Sequence, residues 1–134
     1  MAAAAGTIPA RAAKQRFVPL DDPIKISRLK LHNTSSRTRH LSVTAYAEWV
    51  LGPSRTVSAP FVVTEIDPVT GAMFACNAWN AAFGSRVAFA DLDGCQRDWT
   101  GDRREFIGRN GTLSSPAALA GATALSHTVG AGLD

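Results

Sequence analysis

Two cysteines, no lysine after position 30 and no apolar run of membrane-spanning length are the first features of this 134-residue sequence. Cys76 and Cys95 lie in separate apolar surroundings, without a CxxC pair and without metal-ligand spacing. A disulfide is allowed by count, but nothing else points to export, so two buried free thiols of a cytosolic protein are the expected state. No stretch approaches the ~20 apolar residues that a membrane helix needs. The opening "MAAAAGTIPARAAKQR" is alanine-rich yet lacks the continuous apolar core of a signal peptide. Residues 1–16 therefore read as a disordered low-complexity leader, and residues 17–134 as the folded part.

Chemistry is missing in the same way. There is no Gly-x-Ser-x-Gly elbow, neither cysteine has a neighbouring histidine, and His32, His40 and His127 are scattered. Nucleophilic catalysis has no foothold there. No His/Cys/Asp group has the spacing of a metal site, so no metal is expected. The glycine-containing "GTLSSPAALAG" and "GAG" lack the strand-to-helix context of a phosphate cradle. The net charge of +3 conceals nine Lys/Arg against three acids in residues 1–60, and five Arg against eight acids thereafter. These cations are spread through alternating strands without interleaved aromatics, which favours a solvated sheet face over nucleic-acid binding.

What is present is β patterning. "IKISRLKLHN" (residues 24–33) is extended, with a parity switch that suggests a bulge or a strand buried on both faces. "TSSRTR" supplies a turn. In "HLSVTAYAEWVL", Leu41, Val43, Ala45, Ala47 and Trp49 alternate with polar residues, and the two runs are expected to form an antiparallel hairpin. "FVVTEI", "AMFACNAWN" and "RVAFADL" read as further strands, with "DPVTG" as a turn opened by Asp67-Pro68 and closed by Gly71. A short helical segment is expected after Ser115-Pro116. The expected class is an all-β antiparallel sandwich, whose open edges need covering from outside this sequence.

The densest polar stretch is "GDRREFIGRNG" (residues 101–111), which holds three arginines, two acids and three glycines. Read as a strand, it places Asp102, Arg104 and Phe106 on one face and Arg103, Glu105, Ile107 and Arg109 on the other. Its charges are then expected to pair mostly with one another. Gly108 and Gly111 flank Arg109-Asn110 and free the backbone to present a guanidinium fork and a carboxamide, groups suited to vicinal sugar hydroxyls. A plain Asn-Gly turn fits the stretch equally well. Trp49 is in phase with the apolar face and reads as core, whereas Trp99 stands at the mouth of the stretch, where an indole is able to stack on a sugar ring.

Taken together, "FVPLDDPIKISRLKLHNTSSRTRHLSVTAYAEWVLG", "TGAMFACNAWNAAF", "DWTGDRREFIGRNG" and "LSHTVGAGLD" resemble the N-terminal β-sandwich region of glycoside hydrolase family 94, formerly glycosyltransferase family 36. The resemblance runs from about Phe17 to Asp134 and is nearest to the phosphorylase-like part of the family's cyclic β-1,2-glucan synthase branch. It implies a partial sandwich, truncated at its C-terminus, within a larger galactose-mutarotase-like super-sandwich. It also implies an (α/α)₆ barrel elsewhere in the parent protein that carries an acidic residue for inverting phosphorolysis or glucosyl transfer. Inorganic phosphate would be the co-substrate, with no other cofactor.

On that resemblance no residue here is catalytic and the segment alone is inactive. Arg103, Arg109, Asn110 and Trp99 are the expected near-substrate groups, with Asp102 orienting Arg103 or Arg104. The implied partners are a β-glucan oligosaccharide, the helical barrel and a second copy in a homodimer, without nucleic acid. The implied setting is a cytoplasmic segment of an inner-membrane-associated bacterial protein. A stand-alone carbohydrate-binding or assembly module without chemistry is the competing reading.

Overall fold

The structure, a computed structural model, describes residues 10–121 and 124–133. Its class is all-β, as the patterning predicts: among the described residues there are five strands in two antiparallel sheets, with only short helical turns. The described residues fall into two compact units, one ending at Thr44 and one beginning at Ala45.

The first unit is a ribbon of β1 (Ala10–Phe17) and β2 (Ile26–Asn33), in register from Ala10 opposite Asn33 to Phe17 opposite Ile26. This corrects two expectations. Residues 10–16 belong to a strand and not to a disordered leader, whereas residues 1–9 lie outside the described residues. The partner of β2 is the segment before it, so the expected hairpin with residues 41–50 does not form. The physical reason lies in the connection. Pro19 and Pro23 cannot donate to a ladder, so they end β1 and space the turn that brings β2 back. Residues 40–50 hold only an isolated bridge at Ala45, and Leu41, Val43 and Val50 remain exposed. Alternation signals a face to be buried, and without a layer on that face it does not make a ladder.

The second unit is a three-stranded meander, β3 (Val63–Ile66), β4 (Met73–Cys76) and β5 (Val87–Ala90), in the order β3-β4-β5. The turn between β3 and β4 follows its sequence signature. Asp67 Oδ2 accepts from the Thr70 amide at 2.9 Å and its hydroxyl at 2.5 Å, and Gly71 closes the turn at φ 73°. Before β3, α1 (Arg55–Ser58) is capped by Ser54 and runs into a 3₁₀ turn at Ala59–Phe61. The core is built from small side chains, with Ala59, Val62, Ala72, Ala75 and Ile107 buried. Buried Ser58, Thr64 and Asn77 are each hydrogen-bonded to backbone carbonyls, as buried polar groups must be. Both cysteines are free, but neither is buried: Cys76 is half-buried, and Cys95 is exposed after a left-handed Asp93-Gly94 turn.

Candidate functional site

The polar stretch does not form a strand. Residues Arg103–Ile107 are a short helix, α2, with Asp102 as its N-cap. Asp102 Oδ1 accepts from the amides of Arg104 (2.7 Å) and Glu105 (3.3 Å), which satisfies two donors that a helix start leaves open. Asp102 thus holds backbone as a helix cap, in place of the expected orientation of a neighbouring guanidinium. Gly108 ends the helix at φ 81°, a conformation that favours glycine. A 3₁₀ turn at Ala117–Leu119, the expected short helix, packs against α2. The Asp-x-x-Glu spacing of Asp102 and Glu105, with glycine just past Ile107, is the helix signal that the strand reading passed over.

The charges of the stretch pair outward, not internally. Arg103 Nε donates to Glu48 Oε1 at 3.3 Å, and Arg55 Nε approaches the same oxygen at 3.1 Å. Burial works against the Arg103 charge, but the Tyr46 hydroxyl and Glu48 outweigh it and raise its pKa above the usual arginine value. Tyr46 also stacks on Phe106, with ring centroids 5.2 Å apart. Glu105 points the other way. Its carboxylate accepts from the Ser126 amide (2.7 Å), the Ser126 hydroxyl (2.6 Å) and the Thr100 hydroxyl (2.5 Å). The Ser126 and Thr100 hydrogen bonds hold its pKa below the usual glutamate value.

Glu105 is therefore an anchor for the segment at residues 124–133. Asp98 adds a second anchor, accepting from the Leu125 amide at 2.9 Å and lying 2.8 Å from His127 Nε2. The His127 ring stacks on Trp99 with centroids 4.0 Å apart and planes 10° from parallel. One face of the Trp99 indole is thus covered, and its Nε1 is buried without a hydrogen-bond partner among the described residues. Ser126, His127 and Asp98 do not make a nucleophilic relay, because the Ser126 hydroxyl is held by Glu105 and Thr128. From there the segment runs beside β3, with Thr64 N donating to Gly130 O at 2.9 Å and Val63 bridging Ala131. Sequence reasoning named Glu105 and His127 without these partners and passed over Asp98 and Ser126, because a spacing of up to 29 residues carries no local signature.

Arg109 and Asn110 are arranged differently. They form the exposed turn after α2, and their side chains make no hydrogen bond or ion pair with the other described residues. Arg104 is exposed as well. The turn itself is rigidly based: Gly111 donates to Gly108 O, and a Cβ on Gly111 would overlap the Ile107 carbonyl oxygen. The structure thus holds Arg103 and Trp99 in packing contacts and leaves Arg109-Asn110 open to solvent. Among the described residues no group of three or more His, Cys, Asp or Glu is placed to hold a metal, and no helix is long and apolar enough to cross a membrane.

Comparison with known proteins places these features in a context. The supersandwich domain of glycosyl hydrolase 94 matches residues 10–134. The cyclic β-(1,2)-glucan synthase NdvB of Rhizobium meliloti (strain 1021) is 42% identical over 97 residues, covering 72% of this chain and 3% of that protein. The chain therefore spans a small fraction of the length of this curated relative.

Proposed function

We propose, from the premise that the chain belongs to the glycosyl hydrolase 94 family through its supersandwich domain, that it is the sugar-contacting β part of an enzyme that processes β-1,2-glucan. The observation that carries this reading is the Arg109-Asn110 tip. In a stretch whose other hydrogen-bonding groups are largely committed to the fold, it alone combines a guanidinium and a carboxamide that both face solvent. A guanidinium offers five donors in a planar fork, and a carboxamide both donates and accepts. Together they suit the vicinal hydroxyls of a glucose unit.

Chemistry in this proposal lies outside the chain, in a helical barrel of the parent protein. There an acid protonates the leaving glycosidic oxygen while inorganic phosphate, or another acceptor, attacks the anomeric carbon with inversion. The role of this chain is to bind and orient the saccharide, across a homodimer contact in the assembled enzyme. The same reading makes it a cytoplasmic segment of an inner-membrane-associated bacterial protein. Asp98, Asp102 and Glu105 are anchors, so none of them is the acid.

The test is Arg109→Ala in the full-length protein. Losing one charge-assisted contact of ~1.5 kcal/mol lowers phosphorolysis of linear β-1,2-gluco-oligosaccharides about tenfold, with an unchanged melting temperature. An unchanged rate together with unchanged saccharide affinity would sink the reading.

A further inference from the structure

A second feature of the β3–β5 unit stands apart from the polar stretch. An open cleft of about 910 Å³ is lined by Val57, Phe61, Trp79 and Phe83 together with Arg86. Its size is that of a small-molecule site. Trp79 is 79% exposed and Phe83 63% exposed, unusual for large aromatics in a domain whose core is short of them.

These rings are not exposed because the loop is loose. Asn77 Oδ1 accepts from the Trp79 amide at 3.0 Å, and Asn80 Oδ1 accepts from the Ala82 and Phe83 amides at 3.1 Å each. The Nδ2 groups of both asparagines donate to Leu51 O, at 2.8 and 3.3 Å. The backbone on either side of the indole is thus fixed, and Phe61 braces the ring at 5.6 Å with a 40° tilt. The asparagine side chains are committed to backbone partners, and the exposed Arg86 is the charged residue that lines the cleft.

A rigid aromatic wall with one planar donor matches the two sides of a pyranose. The apolar C–H face of the sugar packs on the ring, and its hydroxyl edge meets the guanidinium. We infer that this cleft is a saccharide subsite that takes a β-glucan segment, separate from the Arg109-Asn110 tip. The inference rests on the proposed role in β-glucan processing but not on the tip.

Hydroxyl-radical footprinting of the full-length protein, read by mass spectrometry, tests it. Without sugar, Trp79 and Phe83 oxidise readily, and saturating linear β-1,2-gluco-oligosaccharide slows Trp79 oxidation at least threefold. In Trp79→Ala the protection of Phe83 disappears, whereas in Trp79→Phe it is retained. In Arg109→Ala the protection of Trp79 persists while phosphorolysis falls, so the failure of either proposal is visible without the other. Three results overturn the subsite: a Trp79 already shielded without sugar, which means that protein fills the cleft; equal oxidation with and without saccharide; or equal protection by a linear α-1,4-gluco-oligosaccharide.

Discussion

Residues 98–105 and residues 109–110 lie within thirteen positions of each other and are built to opposite ends. In the first group Asp102 caps α2, Glu105 and Asp98 hold the segment at residues 124–133, and Arg103 shares Glu48 with Arg55. In the second, a guanidinium and a carboxamide stand on a turn whose glycines fix the backbone but not the side chains. Polar density alone therefore says little about function. What distinguishes the two groups is whether each donor and acceptor already has a partner, because only an open one has hydrogen bonds left to offer a ligand.

The contrast is most easily broken at Gly111. Gly111→Ala forces a side chain against the Ile107 carbonyl oxygen, so we expect a loss of about 3 kcal/mol by urea denaturation and loss of saccharide binding through the displaced tip. Next is Glu105. Glu105→Gln keeps the shape but weakens charge-assisted hydrogen bonds to Ser126 and Thr100, at a cost of about 1–2 kcal/mol. Its pH dependence follows from the depressed pKa. The stabilisation is present above the ordinary glutamate value and is lost as pH falls through the lower folded-state value. Stability of the wild-type protein should therefore decline below the ordinary glutamate range, and Glu105→Gln should flatten part of that decline in acid titrations followed by circular dichroism.

Asp102→Ala removes the cap and should cost ~1 kcal/mol, largely restored in Asp102→Asn. At the other end of the scale, Arg109→Ala and Asn110→Ala should change stability by no more than ~0.5 kcal/mol, as exposed positions without partners do. On the proposed function, their effect is expected in saccharide affinity. A stability loss at Arg109 comparable with that at Asp102 would erase the distinction between the two groups.

The parts of the fold legible in the sequence are those with local causes. β3, β4 and β5 are short apolar runs bounded by turn residues, and Asp67, Thr70 and Gly71 make the turn that their chemistry demands. The helical turn after Pro116 is equally local. β1 was not legible, because "ARAAKQRF" has little β composition and becomes a strand only by pairing with β2. Alternation at Leu41–Trp49 misled for the converse reason, being a pattern without a paired neighbour in the described residues. In the polar stretch, the exposed turn at Arg109-Asn110 was legible from its flanking glycines. The partners of Arg103 and Trp99 were not, since Glu48 lies 55 positions from Arg103 and His127 lies 28 from Trp99. Contacts at such separations leave no trace in spacing. The anchoring carboxylates look, in sequence, no different from solvated ones.

The pairing of Thr64 with Gly130 has a consequence for the order of assembly. These residues are 66 positions apart, and closing a loop of that length costs on the order of 4 kcal/mol in chain entropy. The β3–β4–β5 meander closes through much shorter loops, so it forms first and offers the edge on which residues 124–133 settle. That segment brings little buried apolar surface and is held mainly by hydrogen bonds, the signature of a low-protection unit in native-state exchange. Its amides exchange ahead of those of the meander. Glu105 and Asp98 thus govern how often residues 124–133 let go of β3 without the rest of the fold opening.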